Sequence, residues 1–301
     1  MQNEGTIIKG IAGFYYVVLP DNRIIECKAR GKFRNDNQVP LVGDRVLITI
    51  SEMENNEDKG IVDQILPRKS QLTRPLVANV DQAFIVFALK KPDINLMLLD
   101  KLLILVEHNN LEAIICLNKS DLDDIDLFDK ISRDYQHIGY KVIKTNGHTG
   151  EGIEQIKTCA KGKISVFVGP SGVGKSTIFN QIQTKIIMKT GEISSKVDRG
   201  KHTTRHAELI EIGEDSFIVD TPGFSSMELD FIKPETLQYD FKDFEEYLNC
   251  CKYTSCIHNK EIDCRIKQEV ENGNISKERY NTYVSILENL LQEQNFRRNK
   301  R

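Results

Sequence analysis

Several things are missing from this 301-residue chain, and each absence excludes something. Its opening, Met1-Gln-Asn-Glu-Gly-Thr6, has neither the basic start nor the apolar run of a secretory leader. No apolar run approaches the roughly 20 residues that a membrane-spanning helix needs. Both absences lead us to expect a cytoplasmic protein with no membrane partner. Charge of one sign is also lacking: 41 Lys and Arg against 44 Asp and Glu leave a formal net charge of -3. That balance argues against a uniformly basic nucleic-acid binder, while local basic patches stay open. Cysteine is scarce except in one place. Cys27, Cys116 and Cys159 are scattered, as small buried hydrophobes are, whereas Cys250, Cys251, Cys256 and Cys264 crowd beside His258. In a cytosolic chain such a cluster points to metal instead of disulfides.

The most informative stretch runs from Lys163 to Thr177. Lys163 to Val168 reads as a buried strand, the next residues as a tight glycine-rich turn, and Lys175 onward as a helix. The turn and helix start, Gly169-Pro170-Ser171-Gly172-Val173-Gly174-Lys175-Ser176-Thr177, carry the pattern G-x-x-x-x-G-K-S. Gly169, Gly172 and Gly174 have no Cβ to block dihedrals that aim successive N–H groups inward, so the loop can wrap a polyphosphate at a helix N-terminus. Lys175 would reach the outer phosphates, and Ser176 would hold Mg²⁺.

Length and pattern predict three parts. Residues 1–70 hold five short β-rich runs between Gly, Pro, Asp and Asn turn signals, which suit an OB-fold barrel that grips RNA. Lys28, Arg30, Lys32 and Arg34 alternate, with Phe33 available to stack; the run reads equally as an RNA contact or as a solvated edge. Pro67 to Pro75 reads as a linker. Residues 71–231 then alternate buried strands with helices, the sign of a parallel α/β sheet whose ligands lie at the strand C-terminal ends. Residues 232–301 form a mainly helical part around the cysteines.

At one strand end stands Asn118-Lys119-Ser120-Asp121. The Asp121 carboxylate can accept two hydrogen bonds from guanine N1 and N2, donors that adenine does not offer. Asn118 can bond the other edge of the base, and the Lys119 stem can pack on its plane. Thr145 to Thr149, after the next strand, is where a further base contact falls. At another strand end stands Asp220-Thr-Pro-Gly223. Asp220 can order Mg²⁺ through water, and the Gly223 N–H can meet a γ-phosphate. Thr203 or Thr204 would supply a mobile hydroxyl that closes over the ion.

Cys251-x₄-Cys256-x-His258-x₅-Cys264 offers three sulfurs and one imidazole, a full tetrahedral shell for one structural Zn²⁺. Cys250 is the spare thiol. Lys277 to Gln292 repeats apolar residues at helical spacing and ends in the basic Arg297-Arg-Asn-Lys-Arg301, either a solvated terminus or an RNA contact.

Order along the chain is unusual, because Asn118 precedes Gly169 where an ordinary GTPase has the phosphate loop first. Moving the chain ends does not alter which strands are neighbours, so the sheet can still close. A circularly permuted GTPase domain between a barrel and a Cys/His cluster resembles the bacterial small-ribosomal-subunit-dependent GTPase A family. The likeness spans essentially the whole chain. It implies a GTP hydrolase that binds GTP and GDP with Mg²⁺, acts late in maturation of the 30S subunit, contacts 16S rRNA and works as a monomer. Phe224 follows Gly223 where a glutamine would orient the attacking water, so we expect slow intrinsic hydrolysis that the subunit stimulates. A GTP-dependent metallochaperone or metalloenzyme is the rival reading, and a passive RNA-binding module with a degenerate nucleotide site is a second.

Overall fold

Five strands close the N-terminal barrel: β1 (Gln2–Ile11), β2 (Phe14–Val18), β3 (Ile24–Ala29), β4 (Arg45–Ser51) and β5 (Lys59–Ile65). Ile11 pairs with Phe14 across Ala12 and Gly13, both at positive φ, a two-residue turn that suits strand twist. β1 pairs with both β2 and β4, and β3 runs parallel to β5, so the ladder closes on itself. The computed structural model describes residues 2–31, 33, 38–51, 58–73, 75–122, 125–190, 207–213, 215–220 and 232–299, with backbone alone for 125, 184–190 and 298–299.

Two expectations for this region need correction. Pro67 to Pro75 is not a plain linker. It enters a hairpin of β6 (Gln71–Thr73) and β7 (Leu76–Ala78), whose Leu72 and Val77 are buried. Arg68 donates to both carboxylate oxygens of fully buried Asp44 at 2.7 and 2.8 Å, which fastens this segment to the barrel. Phe33 is only 5% exposed and belongs to the core, so it is not available to stack. Arg30 pairs with Asp63 at 2.6 Å and Lys28 lies over the Phe14 ring, while Lys32 and Arg34 fall outside the described residues.

The central sheet is built from β8 (Gln82–Ala88), β9 (Glu112–Asn118), β10 (Lys141–Lys144), β11 (Ile164–Val168), β12 (Glu208–Gly213) and β13 (Ser216–Asp220). Their order is β10-β9-β8-β11-β13-β12, parallel throughout except at β12. All seven residues of β8 are buried, as a strand covered on both faces requires. Helix α1 (Leu96–His108), capped by the Asn95 side chain on Leu98 N, and α2 (Ile125–His137) cover one face. The other face carries α3 (Ile153–Ala160) and α4 (Lys175–Thr190), packed through Ile153, Ile156, Ile178 and Ile182 onto Phe84 and Phe167.

β1 also pairs with β12 at Lys9 and Glu208, whose side chains form an ion pair at 2.9 Å. Barrel and central sheet are thus one eleven-stranded ribbon. The C-terminal part follows with two short 3-10 turns, then α5 (Arg265–Glu271) and α6 (Lys277–Asn299). Its core is aromatic: Phe241, Phe244 and Tyr283 meet with ring centroids 4.9–5.2 Å apart. No helix among the described residues is long and apolar enough to cross a membrane.

Candidate nucleotide site and Cys/His centre

The glycine-rich turn leaves the sheet where β8 and β11 lie side by side. Gly169 sits at φ +141°, and a Cβ there would lie 2.1 Å from the Val86 carbonyl oxygen. Gly174, at φ +98°, would push a Cβ to 2.2 Å from Asn118 Nδ2. Two motifs far apart in sequence therefore touch. Val173 is buried and anchors the underside of the loop, while Ser171, Gly172 and Ser176 face outward. Pro170 and Thr177 are half-buried beside them. Lys175 Nζ donates to the carbonyls of Gly169 at 2.8 Å and Pro170 at 2.6 Å, so the ammonium is held at the mouth of the loop. Partial burial there lowers its pKa from the ordinary lysine range.

Asn118, 2% exposed, ends β9 and works as a clasp. Its Nδ2 donates to the Val173 carbonyl at 2.7 Å, and its Oδ1 accepts from Gly147 N at 3.1 Å and Thr145 Oγ1 at 3.3 Å. Sequence reasoning gave Asn118 to the base alone, whereas here it braces the phosphate loop against the loop after β10. An amide carries two N–H donors, and Val173 takes one of them.

Asp121 is exposed on the 3-10 turn Ser120–Leu122, with Oδ1 accepting from Asn146 Nδ2 at 2.8 Å. Asn146 is itself buried, and its Oδ1 accepts from the backbone N–H groups of His148 and Thr149. The sequence marked the Thr145 to Thr149 loop for a further base contact without singling out Asn146 or its bond to Asp121. Ser120 joins the same loop twice, from its backbone N to the Thr145 carbonyl and from Oγ to Glu151 Oε2 at 2.5 Å. Lys119, at φ +60°, donates from Nζ to the Lys91 carbonyl.

One chain of contacts thus runs from Lys175 and Gly174 through Asn118 and the Thr145 to Thr149 loop to Asp121, along the C-terminal edge of β9, β10 and β11. Asp220 closes β13, the neighbour of β11, and lies exposed on that edge too. Thr203, Thr204, Gly223 and Phe224 lie outside the described residues.

In the C-terminal part Cys251, Cys256, His258 and Cys264 bring their donor atoms within 4.8 Å of one another. His258 Nδ1 lies 3.5, 3.4 and 3.3 Å from the three sulfurs, and Cys251 Sγ lies 4.0 Å from Cys264 Sγ. A tetrahedral zinc shell with bonds of about 2.0 to 2.3 Å has edges of roughly 3.5 to 3.8 Å, so the spacing fits. The chemistry fits as well. Burial pushes the Cys256 thiol up to about 12 and raises that of Cys264, so buried thiolates here need a cation. Burial lowers the His258 pKa, which favours the neutral, ligating imidazole. Its Nε2 faces Gln238 Oε1 at 2.8 Å, which leaves Nδ1 for a metal. Cys250 is exposed and stands outside the group.

Comparison with known proteins gives the same picture. Residues 65–230 match the RsgA GTPase family and residues 4–62 the RsgA N-terminal domain. The small ribosomal subunit biogenesis GTPase RsgA of Clostridium beijerinckii is 50% identical, with 97% of this chain and 98% of that protein covered. Its counterpart from Caldanaerobacter subterraneus subsp. tengcongensis is 47% identical over 97% of both chains. Among solved structures, YjeQ from Thermotoga maritima superposes with a TM-score of 0.83 at 36% identity, covering 97% of this chain and 99% of that one. YloQ, described as a circularly permuted GTPase, gives 0.81 at 37% identity, covering 97% and 96%. A permuted phosphate-loop site clasped by Asn118, a five-stranded barrel before it and a Cys/His centre after it have one common source: the chain belongs to the RsgA GTPase family.

Proposed function

We propose that this protein hydrolyses GTP to GDP and phosphate during late maturation of the small ribosomal subunit, in the cytoplasm, as a monomer that contacts the 30S particle and its 16S rRNA. The observation that supports this reading is the Asn118 clasp, which joins the phosphate loop to the loop that holds Asp121 along one edge of the sheet. Asp121, held by Asn146, selects guanine; Gly169 to Thr177 wrap the phosphates; Lys175 meets the outer ones. Ser176, with Asp220 through water, would hold Mg²⁺, which when bound neutralises charge on the β- and γ-oxygens. Thr203 or Thr204 and Gly223 are assigned to the γ-phosphate side from sequence. Cys251, Cys256, His258 and Cys264 would hold one structural Zn²⁺, and a shell of four protein donors leaves no open position for chemistry. The domain spans 1–70, 71–231 and 232–301 belong to the same reading.

The test is GTP turnover with and without purified small ribosomal subunits at two salt concentrations. We expect slow basal turnover that rises with subunits and rises less at higher salt, since phosphate contacts are screened. Equal rates with and without subunits would overturn the ribosomal assignment. Zinc below half an equivalent in freshly purified protein would overturn the metal assignment.

A further inference from the structure

Among the ties between the C-terminal part and the central domain, such as His108 with Asp240 at 3.3 Å and Lys242 Nζ on the Gly139 carbonyl, the most deeply buried is made by one arginine. Arg279, near the start of α6, is 4% exposed. Its Nη1 donates to Asp100 Oδ1 on α1 at 2.6 Å, and its Nη2 and Nε donate to Asp243 at 2.7 and 3.1 Å. Tyr135, on α2, donates its hydroxyl to the same Asp100 oxygen at 2.8 Å. Arg279 also stacks over the rings of Phe241 and Tyr135, at 5.3 and 5.7 Å. Both carboxylates are buried, and of the two only Asp100 lies across the joint, so parting the domains would break the Arg279–Asp100 pair while Asp243 kept its own.

The position of this joint matters more than its strength. α1 leads into β9, which ends in Asn118, and α2 begins four residues after Asp121. The guanine motif therefore lies between the two helices that meet at Asp100. The loop before α1 is tied to the motif as well, through the Lys119 bond to the Lys91 carbonyl and the Leu89 N–H on the Asn118 carbonyl. The phosphate-loop helix α4 packs on the opposite face of the sheet from Asp100.

We infer that Arg279 is a positioning residue that couples the C-terminal domain to the guanine-binding side of the nucleotide site, so that base occupancy and domain docking support each other. Coupling of this kind is reciprocal: what docking adds to nucleotide affinity, nucleotide adds to docking. Because the joint lies on the base side, GDP and GTP should feel it equally.

This inference rests on the guanine-nucleotide reading above, and GDP binding by the unaltered chain tests that reading separately. With binding in place, amide exchange over residues 277–290 should slow when GDP is added. In Arg279→Lys, which keeps the charge but loses the fork that spans two carboxylates, GDP and GTP affinity should fall by the same factor, about tenfold, and the GDP-dependent protection should vanish. Asp100→Asn removes one of two carboxylates facing one guanidinium and is the better-tolerated second variant; it should act in the same direction. Metal content at the Cys/His centre and a cooperative melt report that a variant is folded. The inference is overturned by exchange at 277–290 that ignores GDP in the unaltered chain, by GDP affinity within about twofold of normal in a folded variant, or by a loss confined to GTP.

Discussion

Asn146 shows how much one side chain can organise. Buried beside an exposed carboxylate, it gives Asp121 a fixed direction and satisfies two backbone donors of its own loop. A hydrogen bond to an ionised group contributes about 1.5–3 kcal/mol. With about 1.4 kcal/mol per factor of ten, Asn146→Ala should weaken GDP binding by about tenfold or more and narrow the preference for guanine over adenine. Titration with fluorescent GDP and ADP reads both, and unchanged constants would remove Asn146 from the site. At this scale the sequence offered candidates where chemistry lies in residue type and local spacing, as in Lys175, Ser176 and Asp121, and it named the four Cys/His donors that the fold brings together. It was silent on the Asn118 clasp, because Asn118 and Val173 are 55 residues apart and meet only through the strand order of the sheet. Phe33 misled for a related reason: alternation of charge marked a surface run, yet the ring between those charges turns into the core.

Among the elements, β-strands and helices of the central sheet followed their hydrophobic periodicity closely, since β8, buried on both faces, and the amphipathic α2 carry clear patterns. The β6–β7 hairpin did not. Its prolines and basic residues imitate a linker, and what makes Arg68 structural is Asp44, far upstream on the barrel. Two ion pairs of this region should therefore behave differently. Asp44→Ala would take from Arg68 its buried carboxylate, leaving it Gln71 and the Val39 carbonyl, and from the Leu41 N–H its acceptor, and should cost about 3 kcal/mol. Lys9→Ala, at a pair whose side chains are 36% and 42% exposed, should cost under about 1 kcal/mol. Urea denaturation of the full chain measures both, and comparable losses would mean that burial does not set the worth of these pairs.

Across the whole molecule, permutation of the chain has left the sheet intact while changing what each end is attached to. Cutting a GTPase domain so that the guanine motif precedes the phosphate loop puts a barrel at the start and the Cys/His part directly after β13. The order of modules was visible from sequence, because each has its own compositional signature. Their contacts were not, since those depend on single residues such as Lys9, Glu208 and Arg279 that no pattern marks. The pairing of β1 with β12 has a consequence for how the protein stays dispersed in a crowded cell. β12 is the last strand of the central sheet, and the barrel occupies the rim where a stranger's backbone would otherwise dock. The module expected to grip RNA is thus also a cover, and a central domain freed of it would present a bare, adhesive border to its own copies.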